Sequence, residues 1–387
     1  MNELDKKALE YHKQYKGKIG TSLLAPLSGK PDLSLAYSPG VGAVSLAISE
    51  DVNLAREMTL KGRTVAIISD GSAILGLGNL GAESAIPVME GKAALLKHFA
   101  GVDAFPICLN TQDPDQIINI VQNIAPVFGA INLEDISSPR CFYIEQTLRE
   151  KLNIPVMHDD QWGTATVVLA GLINSLKLKN LKIEDAKIII SGLGAAGVAV
   201  SRLLFSAGAQ YIGFIDSHGI VNKNRTDLNK EKLELIEKSK LNLTDGGLVD
   251  AVNDADIFIG LSKPGVLNES MVKTMNPNPI IFALANPTPE IMPDIAKLAG
   301  AYIIATGRSD FPNQVNNALV FPGIFKAALS VHGCQFTDEV FINCAHALAS
   351  VVENPNADYI IPSPFDEKVV PAIYNSAREV FLKQIEK

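Results

Sequence analysis

Apolar residues in this chain come in short runs that stop at acidic or glycine-rich stretches. Residues 127–133 form one such run and end at Glu134 and Asp135. Residues 139–151 then read as a helix, and 154–157 as a short strand that stops at His158, Asp159 and Asp160. That order predicts a βαβ unit. Its two parallel strands end on the same sheet edge, so the two acidic clusters emerge side by side, where open α/β sheets hold their ligands. Upstream, 64–69 and 104–109 read as strands, and 85–99 and 116–124 as helices. Residues 17–42 read as a loop rich in Gly, Pro and Ser.

Downstream, 163–176 reads as a helix and 177–185 as a polar linker. Next come a strand (187–191), the turn Gly192, Leu193, Gly194, Ala195, Ala196, Gly197, a helix (198–207) and a second strand (211–215) ended by Asp216. This is the pattern of a mononucleotide-binding βαβ: glycines let the backbone approach a pyrophosphate at the helix N-terminus, and the strand-end Asp accepts from ribose hydroxyls. Asp216 favours NAD over NADP, because it repels a 2′-phosphate, although Ser217, His218 and Lys223 lie close in sequence. Strands at 257–260, 280–284 and 302–305 bring Ser262 and Asn286 to the same sheet edge. The remaining residues read as helices that pack back.

Several side chains on this framework carry candidate chemistry. Three or four carboxylates sharing one volume repel unless a cation, protons or hydrogen bonds offset them. Oxygen ligands suit Mg²⁺ or Mn²⁺, and Glu134, Asp135 and Asp160 are the candidates; the alternative is helix caps and solvated strand ends. Lys92 interrupts the apolar stripe Met89, Leu96, Phe99, where desolvation lowers a lysine's pKa toward the range of a general base, unless it snorkels to solvent. Tyr37 precedes a Pro-Gly turn as a possible proton donor, or packs beneath the loop. Asn316 and Asn317 are amide candidates or turn residues. The glycines from Gly76 to Gly81 are set too far from their strand for a dinucleotide loop and read as a backbone hinge.

At 387 residues the chain suits two or three domains. A net charge of −8 without any Lys/Arg-rich run argues against nucleic acid as a partner. No apolar run has the length of a signal peptide or bilayer span, which makes a cytoplasmic protein the expectation. Four scattered cysteines without a CxxC suggest buried free thiols.

In combination, the motifs around Tyr37 (Ala36 to Val41), Gly76–Gly81, Pro87–Lys92, Asn132–Asp135, His158–Ala165 and Ala285–Thr288 resemble the malic enzymes of short bacterial and archaeal type. The resemblance runs from about Gly17 to Phe325. It implies an α/β fold with an N-terminal malic-enzyme domain, 1–155, and a Rossmann-type NAD(P)-binding domain with C-terminal helices, 156–387. It also implies oxidative decarboxylation of L-malate to pyruvate and CO₂ with NAD or NADP and Mg²⁺ or Mn²⁺, in a homodimer. By motif, Lys92 is the base, Tyr37 the acid and Asp159 the residue that orients Lys92 or the metal shell. Glu134, Asp135 and Asp160 are the metal ligands, and Asn286 and Asn317 bind the substrate carboxylate and carboxamide regions. Two positions depart: Trp162 stands where many short members have His, and Ala73 where the long members have a substrate-binding Arg. Within the same family, decarboxylation of oxaloacetate without net redox chemistry is the alternative activity.

Overall fold

The computed structural model describes residues 3–386. Two parallel sheets organise the chain. The first contains β1 (Thr64–Ser69), β2 (Asp103–Cys108), β3 (Ala130–Leu133) and β4 (Val156–His158) in the order β2-β1-β3-β4. The second contains β5 (Lys187–Ser191), β6 (Tyr211–Asp216), β7 (Gly219–Ile220), β8 (Ile257–Gly260), β9 (Ile280–Ala283) and β10 (Ile303–Thr306) in the order β10-β9-β8-β5-β6-β7. All of its pairings are parallel except β6 with β7. Strands β1, β3, β8 and β9 are buried along their whole length, which explains why they read as unbroken apolar runs.

Helices supply the connections and much of the site. Helices α1 (Glu3–Tyr15), α2 (Lys30–Ala36), α3 (Val41–Glu50) and α4 (Leu54–Met58) precede the first sheet. Then come α5 (Ala82–Leu95), α6 (Pro114–Ile124), α7 (Arg140–Lys151), α8 (Asp159–Lys179) and α9 (Ala195–Ser206). Helix α8 leaves β4 directly, carries fifteen buried residues and packs along α9, so it joins the two sheets. One apolar core runs from Val65 and Ile67 through Val168 and Leu172 to Ile188 and Phe282; a smaller cluster, with Phe258 and Ile281, fills the far face of the second sheet.

Three elements differ from the sequence expectation. A helix, α2, lies inside the stretch that reads as loop: Pro31 sits in its first turn, where the missing N–H needs no partner. Helix α8 starts at Asp159 rather than Gly163. Its first turn therefore holds both acidic residues, a placement the helix dipole favours and which strand-end composition hides. Strand β4, which a boundary at 155/156 assigns to the second unit, pairs with β3 in the first sheet.

Candidate active site

The βαβ unit forms as its pattern requires, and its two acidic ends meet. Glu134 and Asp135 follow β3; Asp159 and Asp160 follow β4. One oxygen from each of Glu134, Asp135 and Asp160 lies within 4.8 Å of the others. Asp160 Oδ2 accepts the Asp135 N–H at 2.8 Å, which locks the two loops together. Asp135 holds φ at +54°, an uncommon conformation for a non-glycine residue, and its Oδ2 is buried with no hydrogen-bond partner. An orphaned carboxylate oxygen beside two other carboxylates is a donor set that fits a hard divalent cation.

Electrostatics reinforce that fit. Burial, opposed by Lys92 and reinforced by Asp160, pushes Glu134 above the usual carboxylate range. Burial and the neighbouring Asp160 and Glu134 do the same to Asp135. Burial likewise raises Asp160, and raises Asp159 to about 7 against the pull of Lys92. Charging all of these groups in one pocket is unfavourable until a cation enters.

Lys92, on α5, is the cation already present. Its ammonium donates to Asp159 Oδ2, lies 3.0 Å from Glu134 Oε1 and sits 4.3 Å from the centre of the Phe321 ring. Met89 and Leu96 on the same stripe are fully buried, so Lys92 does lie in an apolar face. The direction of its shift is the reverse of the expectation. Desolvation lowers its pKa, but Asp159, Glu134 and Asp160 together outweigh burial and raise it. Lys92 faces three carboxylates, whereas each carboxylate faces one lysine. The ammonium is therefore the member of the pair held charged.

Neighbouring groups set this geometry. Asn132 Nδ2 donates to Glu134 Oε2 at 2.9 Å. Glu145, buried on α7, accepts from the His158 N–H at 3.0 Å, Gln161 Nε2 at 3.0 Å and Trp162 Nε1 at 3.1 Å, and so fixes the start of α8. Trp162 stacks on Phe341 with ring centres 4.9 Å apart. A Cβ on Gly163 would fall 1.9 Å from Asp159 Oδ1, and the Asn317 Cβ lies just beyond at 3.2 Å. Asn317 thus borders the cluster. Asn286 is exposed; its backbone oxygen lies against Gly76 and its side chain against Gly307, so it bridges the glycine-rich loop of the first sheet and the second sheet. Tyr37 stands apart. It caps α2 with 69 % of its surface exposed, and among the described residues no hydrogen bond joins it to Lys92 or the carboxylates.

The second sheet holds the other half of the site. Gly192 adopts φ +101° and Gly197 approaches it so closely that a Cβ there would meet the Gly192 carbonyl at 1.8 Å. Helix α9 begins at Ala195 and Ala196 immediately beyond the turn. A cavity of about 640 Å³ opens there, lined by Gly192, Gly194, Asp216, Lys232, Ser262 and, from the first sheet's loop, Ser138. This is a fitting cradle for a dinucleotide pyrophosphate and ribose. Buried Glu290 accepts from the Ser262 and Ala285 N–H groups at 2.9 and 3.0 Å, tying together the loops after β8 and β9. Asp216 is not a free carboxylate. Arg225 and Lys232 each reach it at 2.7 Å, and these contacts, against burial, bring its pKa to about 2.

Comparison with known proteins agrees with both halves. Residues 16–149 match the malic enzyme N-terminal domain, and residues 162–367 the malic enzyme NAD-binding domain. The chain belongs to the malic enzyme family. Among similar proteins, the bifunctional malic/malolactic enzyme of Bacillus subtilis is 49 % identical over 96 % of this chain and 91 % of its own. The NAD-dependent malic enzyme of Geobacillus stearothermophilus is 50 % identical over 94 % of this chain and 76 % of its own. The crystal structure of the NAD-dependent malic enzyme from Thermotoga maritima superposes with a TM-score of 0.93, at 47 % identity, covering 96 % of this chain and 98 % of that one. The NADP-dependent malic enzyme of Haemophilus influenzae is 44 % identical over 97 % of this chain and 53 % of its own.

Sequence reasoning missed several groups of this malic enzyme family site: Asn132, Glu145, Glu290, Ser138, Phe321, Arg225 and Lys232. Asn132 and Ser138 flank the acidic strand end, which is a usable signal. The other five sit on separate elements, Arg225 and Lys232 only nine and sixteen residues after Asp216, and no motif in the sequence marks them.

Proposed function

We propose that this protein is a malic enzyme that oxidises and decarboxylates L-malate to pyruvate and CO₂ with reduction of NAD⁺ or NADP⁺. The observation that carries the reading is the cluster of Lys92, Asp159, Glu134, Asp135 and Asp160 together with a dinucleotide cradle that Ser138, from the same loop as Glu134 and Asp135, helps to line.

Glu134, Asp135 and Asp160 hold Mg²⁺ or Mn²⁺, which when bound supplies Lewis acidity to the hydroxyl and carboxylate of the substrate. The Gly192–Gly197 turn, Asp216, Ser262 and Asn286 hold the dinucleotide, which supplies the hydride acceptor. Lys92 is the base for the C2 hydroxyl proton and Asp159, which accepts a hydrogen bond from its Nζ, orients it; a divalent cation on Glu134, Asp135 and Asp160 would offset the carboxylate charge that otherwise holds the ammonium protonated. Asn286 and Asn317 orient the substrate by amide hydrogen bonds. Tyr37 returns a proton to the enol carbon, completing pyruvate. The chain divides into two units, with β4 (Val156–His158) completing the first sheet beyond the 155/156 boundary, works as a homodimer and acts in the cytoplasm; no described helix is long and apolar enough to cross a membrane.

The test is spectrophotometric. Purified protein with L-malate and Mn²⁺ is expected to reduce NAD⁺ or NADP⁺, and Lys92→Ala and Asp160→Asn to abolish the reaction. A wild type that reduces neither cofactor yet consumes oxaloacetate with metal alone overturns the reading.

A further inference from the structure

A separate cavity, of about 590 Å³, opens beside the start of α8, and neither Lys92, the metal candidates nor the Gly192 turn lines it. Helix α7 gives it Phe142, Glu145 and Arg149, α8 gives Gln161 and Trp162, and α9 gives Arg202. Helix α10 (Lys230–Lys238) and residues 335–337 close the remaining sides. The cavity thus lies where elements of both sheets meet, and its volume is in the range of small-molecule sites. No step of the proposed reaction uses it. Trp162, the departure within the His158–Ala165 motif, forms part of its wall.

Pairing the charges around this cavity leaves one over. Glu145 spends its oxygens on the His158 N–H, Gln161 and Trp162. Glu234 accepts from Arg202 at 3.0 Å, and Glu150 accepts from Gln146 at 3.0 Å. Lys230 and Glu231, adjacent on α10, offset each other. Arg149 remains. It is half-buried, donates from Nη2 to the Phe336 carbonyl, and forms no ion pair with any acid among the described residues. A guanidinium carries five N–H donors in a planar fork, so most of its capacity is left for an anion.

The walls select the kind of anion. Trp162, Phe341 and Phe336 form a stack in which Phe341 lies 4.9 Å from Trp162 and 6.0 Å from Phe336, ring centre to ring centre. Trp162 and Phe336 line the cavity, and Phe142, with the Arg202 guanidinium 5.8 Å from its centre, adds a third ring. A flat ring extends such a wall by offset or edge contacts. Four glutamates share the cavity, so a phosphate or a polycarboxylate meets like charge there, whereas one carboxylate matches one unpaired guanidinium. We propose that this cavity binds an aromatic monocarboxylate, with its carboxylate on Arg149 and its ring against Phe142, Trp162 and Phe336. The site lies apart from the reaction centre and does not depend on the malic enzyme reading.

Trp162 is the single tryptophan of the chain, so its fluorescence reports directly on this cavity. Phenylacetate is the probe, because it carries both features and little else; acetate lacks the ring and 2-phenylethanol lacks the charge. With the whole chain, phenylacetate is expected to change the Trp162 emission along a saturating curve, with half-saturation about tenfold or more below that of either control. Arg149→Ala is expected to weaken phenylacetate binding about tenfold, the loss of one charge-assisted pair. Gln335→Glu, a near-isosteric change that adds a negative charge to the cavity, is expected to weaken it as well while leaving the contact of Arg149 with Phe336 in place. A response that does not saturate, equal responses to the three probes, or binding that neither substitution weakens overturns the proposal. Should Arg149→Ala fail to fold, Gln335→Glu and the three wild-type titrations still decide it.

Discussion

Lys92 Nζ lies 3.0 Å from Glu134 Oε1, and both side chains are nearly closed off from water. One ammonium therefore neutralises part of a cluster that also contains Asp159, Asp135 and Asp160. Removing it leaves buried carboxylates with no counter-charge, a loss of about 3–5 kcal/mol when one partner of a buried pair is deleted. Lys92→Ala is expected to abolish turnover and to lower thermal stability, more steeply in chelator than in Mg²⁺. A variant equally stable with and without Mg²⁺ contradicts this coupling.

Raised carboxylate pKa values make metal binding depend on pH with a definite sign. Asp159 at about 7, together with Glu134 and Asp135 above their usual range, binds protons in the folded chain that the unfolded chain releases near pH 4. Metal-free stability therefore falls as pH rises from about 4 through 7. A divalent cation relieves that penalty by replacing the protons. The melting temperature gained on adding Mg²⁺ is expected to be larger at pH 8 than at pH 5.5. A gain independent of pH excludes the carboxylate cluster as the binding site.

Gly163 has no room for a side chain beside Asp159. Gly163→Ala is expected to swing the Asp159 carboxylate away from Lys92 and to lower kcat about a hundredfold, the scale of a misplacement of about 1 Å. Dinucleotide binding, measured by fluorescence, should change little, because the Gly192 turn lies on the other sheet. A fully active Gly163→Ala enzyme removes the need for the Asp159 contact.

Lys232 and Arg225 offset the charge of Asp216 at the ribose end of the cofactor cavity. Lys232→Ala leaves more negative charge there. KM for NADP⁺ is expected to rise about fivefold more than KM for NAD⁺, the effect of losing one charge-assisted contact worth about 1 kcal/mol. Equal changes for the two cofactors place the 2′-position away from Lys232.

Much of this architecture was legible because its signals are local. The runs at β1, β5, β8 and β9 are apolar on both faces, and the Gly192 turn sits between a strand and a helix within thirty residues. Lys92 stood out as one charge in an apolar stripe. Its protonation did not, because the three carboxylates that hold its proton come from two other segments. Helix α2 was hidden among Gly, Pro and Ser, whose turn preferences outweigh the short apolar pattern. Glu145 and Glu290, each accepting N–H groups from neighbouring elements, resemble ordinary surface acids until the chain is folded.

Helix α8 bears on how this chain tolerates changes of length. It spans 21 residues, about 30 Å, with Asp159 and Asp160 in its first turn and α9 packed along its body. One residue inserted between those regions rotates the carboxylates by about 100° and shifts them by about 1.5 Å relative to the dinucleotide helix. Substitutions along α8 trade one packing surface for another, but an insertion or deletion turns the acidic end out of phase with everything it serves. Residues 161–176 are thus a stretch whose length, more than its composition, is fixed by the chemistry at its end.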